Sequence, residues 1–259
     1  MQASASASYN KALAKHEQVL MLSIENLIVE SDKKRILNGV SLKIKTGEIH
    51  VIMGPNGSGK SSLSLALMGH PRYKITSGKV KIDGRDITKL TPDKRAKLGL
   101  YLAMQYPIAI PGVSVANFLR TSIKNLKVNV KPPEFVKNLK EKMAELKINE
   151  TFASRGINEG FSGGEKKKME VLQLTMIEPK YAILDETDSG LDVDALKLVA
   201  SGIKKSMGLK MGILLITHYQ RILNYIKPDF VHILVDGKIV KSGTHKLAEK
   251  VEQKGYSSF

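Results

Sequence analysis

The stretch Gly54–Ser61, GPNGSGKS, constrains this chain more than any other part of it. Its spacing is G-x-x-x-x-G-K-[ST], in which a glycine-rich turn aims backbone N–H groups at phosphate oxygens where a helix begins. Such a loop needs a strand ending beneath it and a helix starting in it. The apolar run IHVIMG precedes it and SSLSLALMGH follows. Gly57 and Gly59 free the backbone to turn, Lys60 reaches β- and γ-phosphates, and the Ser61 hydroxyl suits Mg²⁺. Gly54, Pro55, Asn56, Ser58 and Ser62 complete the predicted phosphate-binding segment.

A second motif depends on the first for its meaning. YAILDE (Tyr181–Glu186) is an apolar strand ending in two carboxylates, as many strands do with no catalytic role. Beside a phosphate loop the pair becomes specific. Asp185 can hold Mg²⁺ through water, and Glu186 can take a proton from an attacking water as general base.

The rest of the pattern predicts an α/β fold. MLSIENLIVE and ILNGVSLKIK alternate as strands do, TGE marks a turn, and GKVKIDGRDI predicts a hairpin bent at Asp83-Gly84. Strands recur at KYAILDE, MGILLIT and FVHILVDGKIVKSG, so a largely parallel sheet is expected, with an antiparallel β region towards the N-terminus. Residues 111 to 175 read as mainly helical, interrupted at Pro132-Pro133, which predicts a helical subdomain inserted at about 106–175 of a domain spanning 21–259. Residues 1–20, MQASASASYNKALAKHEQVL, differ in composition and predict a flexible extension. They read as a tail, an expression remnant or a stretch preceding a start at Met21, and less well as an organelle transit peptide.

Composition narrows the chemistry. No apolar run approaches the roughly 18 residues that cross a bilayer. Cysteine is absent, so no disulfide and no thiolate-held metal or iron–sulfur cluster can belong to this chain. The formal charge of +16 fits either a nucleic-acid partner or a lysine-rich solvated surface, and the even spread of the lysines favours the surface.

One further stretch, FSGGEKKK (Phe161–Lys168), opens another glycine turn into a helix, and a single chain has no evident use for two such phosphate grips. Phosphate loop, FSGGE, LDE and SGLD occur in an order that resembles the ATP-binding-cassette (ABC) ATPases, from about Met21 to the end of the chain. The resemblance implies a P-loop NTPase core of ABC type, ATP with Mg²⁺ as ligands, and ATP hydrolysis. It places Gln105, in MQYP, at the loop joining core to helical lobe, as a metal and catalytic contact. It makes His218, in ITHYQ, the switch histidine, and Ser189, Gly190, Leu191 and Asp192 the D-loop. Two subunits of that family pair head to tail, so Ser162, Gly163, Gly164 and Glu165 are implied to bind the partner subunit's ATP, which explains the second turn. The family's usual signature is LSGGQ, and Phe161 and Glu165 depart from it. Many members stack adenine on an aromatic residue before the phosphate loop; ESDKKRILNG (Glu30–Gly39) offers none.

The wording between motifs is similar to a narrower group, the ATPase subunits of the SUF iron–sulfur cluster assembly machinery. GFSGGEKKKMEVLQ, DETDSGLD and THYQRILNYIKPDFVHILVDGKIVKSG carry this resemblance. It implies docking on SufB- and SufD-like scaffold proteins and a cytoplasmic setting, or an organellar stroma if the extension is a targeting remnant. Tyr106, Ile108, Ile110 and Pro111, beside Gln105, are the expected docking residues, whereas Val115, Phe118 and Leu119 are expected in the lobe's own core. A transporter's nucleotide-binding subunit is the alternative; a nucleic-acid-associated ABC ATPase ranks below both, because one cassette without a heptad insertion lacks that architecture.

Overall fold

A computed structural model describes residues 20–126, 130–208, 210–217 and 220–258. The expected extension lies outside these residues except for Leu20. Two sheets share the work. β1 (Met21–Ser31), β2 (Lys34–Lys45), β4 (Lys74–Ile82) and β5 (Arg85–Asp86) form an antiparallel sheet in the order β2-β1-β4-β5. Asp83 and Gly84, both at positive φ (50° and 82°), make the predicted bend between β4 and β5.

The second sheet has the order β12-β11-β3-β10-β9-β6. Its members are β3 (Ile49–Met53), β6 (Leu100–Ala103), β9 (Tyr181–Asp185), β10 (Gly212–Ile216), β11 (Phe230–Val235) and β12 (Lys238–Gly243). All neighbours pair in parallel except β11 and β12, which form an antiparallel hairpin at one edge. The central strands are apolar throughout because both faces are covered. On β10, Ile213 and Leu215 enter one core, while Leu214 and Ile216 enter another shared with the antiparallel sheet.

α1 (Lys60–Met68) leaves β3 and packs into the core between the sheets with Leu63, Ala66 and Leu67. α2 (Pro92–Lys97) follows the antiparallel sheet. Arg95 of this short helix is buried, and its guanidinium donates to the carbonyls of Ala66, Leu67, Thr88 and Leu90, which closes the carboxyl end of α1.

The lobe holds α3 (Val115–Leu126) and α4 (Pro132–Glu145), and α5 (Gly163–Ile177) leads back to the core. Val115 and Leu119 are buried and Phe118 packs against the same cluster, as expected. Two features depart from the sequence reading. Pro132 and Pro133 open α4 instead of interrupting a helix, because their missing N–H groups lie where a helix's first turn has no internal acceptor. A two-stranded ribbon, β7 (Ile110–Ser114) with β8 (Gly156–Ile157), ties the lobe's two ends together. α6 (Val193–Met207) and α7 (His245–Lys254) cover the far face of the parallel sheet.

At the edge of that sheet lies a buried polar line. Glu48 Oε2 meets His50 Nε2 at 3.0 Å, His50 Nδ1 meets His232 Nε2 at 3.0 Å, and His232 Nδ1 meets Ser242 Oγ at 2.8 Å. Burial lowers the pKa of both imidazoles, that of His232 to about 4 with a further push from His50, while Glu48 pulls His50 the other way. A histidine held neutral in the folded state stabilises above its unfolded value and loses that contribution as the pH falls. Stability should therefore decline from pH 6.5 towards about 4. His232→Asn should flatten that decline by on the order of 2 kcal/mol, read from urea unfolding at several pH values. An unchanged pH slope in the variant would show that His232 is not the responsible group.

Candidate active site

The loop between β3 and α1 depends on backbone shapes that only glycine supplies. Gly57 and Gly59 have φ of 80° and 103°, and a Cβ on Gly54 would collide with the Leu234 carbonyl oxygen. Lys60 is buried and curls over the loop, its Nζ donating to the carbonyls of Gly54 and Pro55 at 2.9 Å each. Burial lowers its pKa, opposed by the carboxylates of Glu186 and Asp185. Its ammonium is thus held inside the turn of the glycine loop.

Asp185 closes β9 and faces α1. Ser64 Oγ donates to its Oδ2 at 2.7 Å and Ser61 Oγ to its Oδ1 at 3.3 Å. Burial raises the Asp185 pKa, these two hydroxyls counter it, and Glu186 adds to the rise. Glu186 follows at φ 51°, a left-handed conformation uncommon for residues other than glycine, with its N–H donating to the Ile216 carbonyl at 2.9 Å. Gln105, just past β6, donates from Nε2 to Glu186 Oε2 at 2.5 Å. A cavity of about 580 Å³ is lined by Ile36, Asn56, Gly57, Gly59, Lys60, Ser61, Ser62, Gln105 and Glu186.

The sequence-predicted residues therefore fall into separate places. The phosphate loop, Gln105 and Glu186 share one cavity, with Asp185 bonded to its serine. Ser162, Gly163, Gly164 and Glu165 do not line it. They form the start of α5, where the Ser162 hydroxyl accepts from the Glu165 N–H at 3.3 Å and Glu165 Oε2 accepts from the Ser162 N–H at 2.6 Å. This capping box gives Glu165 a local reason to stand there. Phe161 has one too: it is buried edge-on against Phe152, with the Arg155 guanidinium 4.4 and 4.8 Å from the two rings. Asp192 caps α6 by accepting from the Ala195 N–H at 2.7 Å; Leu191 is buried and Gly190 takes φ 72°. The Ser189 N–H donates to the Glu186 carbonyl at 3.2 Å, which ties this turn to the carboxylate. Tyr106, Ile108, Ile110 and Pro111 are exposed. His218 lies outside the described residues.

Three contributors escaped the sequence reading. Ser64 grips Asp185 from one turn beyond Ser61. Lys167 and Glu170, on α5, are both buried and paired at 3.0 Å, and Lys167 Nζ also reaches the carbonyls of Gln105 at 3.2 Å and Met104 at 3.4 Å. Burial raises the Glu170 pKa to about 7 against the pull of Lys167. A signal existed: Lys167, Glu170 and Leu174 follow the spacing of one buried helical stripe, which the run of charges concealed.

A family model described as "ABC transporter" matches residues 37–189. A Streptococcus pyogenes serotype M3 protein named "Probable ABC transporter ATP-binding protein" is 52% identical over 240 residues, 92% of this chain and 94% of its own. A "Probable ATP-dependent transporter ycf16" of Antithamnion sp. is 48% identical, covering 92% of this chain and 96% of its own. Among solved structures, the dimeric bacterial ABC transporter cassette MJ0796 superposes with a TM-score of 0.75 at 22% identity, over 87% of this chain and 99% of that one; it supports the fold.

The Lys167–Glu170 pair generates a stability prediction. Lys167→Met removes the charge that compensates Glu170 and should cost about 2–4 kcal/mol by urea unfolding. The double variant Lys167→Met/Glu170→Met should return to within about 1 kcal/mol of the parent, because the stranded carboxylate is gone. Simple additivity of the two losses would refute their pairing.

Proposed function

The chain belongs to the ABC transporter ATP-binding family, and from that membership we propose that it is the ATPase subunit of a SUF-type iron–sulfur cluster assembly system. It would act as a SufC-like motor on SufB- and SufD-like scaffold proteins. The observation that carries the motor reading is the apolar pair beside the catalytic glutamine. Tyr106 and Ile108 are 78% and 70% exposed, immediately after the residue that bonds Glu186. Asn158 Nδ2 donates to the Ile108 carbonyl at 3.1 Å and so helps to fix the patch for a protein partner. The sequence phrases shared with SUF ATPases favour a scaffold over a membrane-spanning partner. The names of the relatives favour a transporter, which stands as the second reading.

In this proposal ATP lies with its phosphates at the N-terminus of α1, and Lys60 exchanges the Gly54 and Pro55 carbonyls for phosphate oxygens. Mg²⁺ fits the hard oxygen donors Ser61 and Asp185, with the Gln105 amide beside them, and when bound it neutralises charge on the β- and γ-phosphates. Glu186 takes the proton of the attacking water as a new O–P bond forms, and the bond to the bridging oxygen breaks to leave ADP. Gln105 orients Glu186.

A second copy completes the site. A Cβ on Gly163 or Gly164 would meet nothing within 4 Å, so packing within this chain does not require glycine at the exposed start of α5, where glycine weakens a helix. Close approach of an external group is a reason for both. The partner's ATP would be that group, held by the Ser162 hydroxyl and the helix N-terminus.

Glu186→Gln should retain ATP binding, lower turnover by about 10²-fold or more, and accumulate a dimer with ATP and Mg²⁺ by light scattering. Ser162→Arg added to it should leave only monomer. Turnover near the parent's in Glu186→Gln would exclude the general-base role. The partner assignment has its own test. Ile108→Asp/Ile110→Asp should abolish capture by SufB- or SufD-like proteins while ATP still binds, and undiminished capture by the folded variant would sink the docking surface. Co-purification of the parent with membrane-spanning chains, and not with scaffold proteins, would decide for the transporter.

A further inference from the structure

The phosphate loop has a neighbour that the ATP chemistry does not use. Gly255 ends α7 at φ 69°, its N–H donating to the Val251 carbonyl at 2.8 Å, and the chain then closes a short 3₁₀ turn, Tyr256–Ser258. Ser258 Oγ donates to the Gly255 carbonyl at 3.1 Å, and the Tyr256 ring packs against the core that contains Met53, Val231 and Ile233. Ring and turn are therefore held without help from the phenol. Its hydroxyl is nevertheless buried, and it meets no hydrogen-bond partner at full geometry among the described residues. The backbone N–H of Gly54, the first residue of the phosphate loop, is the group that acts on that oxygen. Resting on the ATP reading above, we propose that Tyr256 is a positioning residue for the phosphate loop, whose hydroxyl takes hold of the Gly54 backbone when nucleotide draws Lys60 away.

A buried hydroxyl without a partner costs stability, and tyrosines that bury one usually find a partner. Phenylalanine would pack the same ring at no such cost, so the hydroxyl gains nothing in the loop conformation seen here. The unused hydrogen-bonding capacity also gathers at one residue. Ser58 Oγ, likewise buried and without a partner among the described residues, lies 2.8 Å from where a Gly54 Cβ would be. Both hydroxyls thus stand at the residue whose carbonyl Lys60 Nζ holds at 2.9 Å. The Pro55 carbonyl, the other acceptor of Lys60, receives the Ser58 N–H as well, at 3.3 Å. When the ammonium turns to phosphate, Gly54 loses that donor and settles against the phenol. Burial raises the Tyr256 pKa, against a smaller pull from the Gly54 N–H, so the hydroxyl keeps its proton and can donate as well as accept. Lys60 and Tyr256 hold the same backbone in turn.

The experiment compares the full-length chain with Tyr256→Phe, which keeps the ring. ATP binding with Mg²⁺ should weaken by about three- to tenfold in calorimetry, the worth of one neutral hydrogen bond. KM for ATP should rise by the same factor with kcat within about twofold, because the contact is made equally in the ground and transition states. The nucleotide-free variant should unfold in urea at the parent's midpoint or above it, since an unpartnered hydroxyl has gone. A merely structural tyrosine would give the reverse, a lower midpoint with unchanged KM, and that result would overturn the proposal. A double-mutant cycle checks the exchange without any nucleotide. In a Lys60→Met background Gly54 is already released, so Tyr256→Phe should now lower the urea midpoint of the free protein by about 0.3–0.5 M. Equal effects of Tyr256→Phe in both backgrounds would refute the exchange. Failure of the parent to bind ATP would overturn the ATP reading instead, and the cycle would still decide whether Tyr256 and Lys60 share Gly54.

Discussion

The contact on which the molecule turns is that between the phosphate loop and the β11–β12 hairpin. Gly54 passes so close to the Leu234 carbonyl that no side chain fits, and the Gly237 N–H bonds the Ser58 carbonyl at 3.0 Å. Gly237 in turn passes against the Ile36 carbonyl of the antiparallel sheet, again too close for a side chain. Two sheets that pack through an apolar core are thus held in register by backbone at one point. The loop's left-handed conformations are free of steric strain because glycine occupies them. The fold positions its phosphate cradle by hydrogen bonds and steric exclusion, and the hydrophobic cores supply the stability that makes this placement affordable.

Charge is the second constraint. Behind the loop the buried acidic residues Asp185, Glu186 and Glu170 stand with the buried ammonium groups of Lys60 and Lys167. Burial raises the pKa of both Asp185 and Glu170, so ionisation of each carries a desolvation cost. Ser61 and Ser64 supply part of the compensation at Asp185, and Lys167 supplies most of it at Glu170. A divalent cation between Asp185 and a polyphosphate would relieve the same stress.

What could be read from the sequence was what is local. The phosphate loop, the strand ending in Asp185 and Glu186, the Asp83-Gly84 bend and the apolar parallel strands each follow from neighbours a few positions apart. The ABC-type α/β architecture followed from their order, and the structural relatives share it. Long-range pairings were hidden. Ser64 to Asp185 spans 121 positions, and the Lys167 contact to the Gln105 carbonyl spans 62. Ile36 was invisible for another reason: an isoleucine in a strand reads as core until the alternation beside Leu37 turns it towards the cavity. The prolines at 132 and 133 misled because the same missing N–H that breaks a helix inside it suits the helix's first turn.

Helix α5 connects these observations into a lever. Its first turn carries Ser162 and the two unpacked glycines, and one turn later Lys167 holds the Gln105 carbonyl while the Gln105 amide holds Glu186. Tyr106 and Ile108 continue directly from that glutamine onto the surface. The Glu186 carboxylate is thereby two hydrogen bonds from the helix, through Gln105, the neighbour of the apolar patch. A body pressing on the patch and a body pressing on the start of α5 would act on the same hydrogen bond. Because the buried Lys167 Nζ donates to the Met104 and Gln105 carbonyls, the helix cannot shift without carrying that backbone or breaking those hydrogen bonds. Coupling of the proposed protein partner to Glu186 would require no long pathway, since Lys167 and Gln105 connect the helix, the patch and that carboxylate.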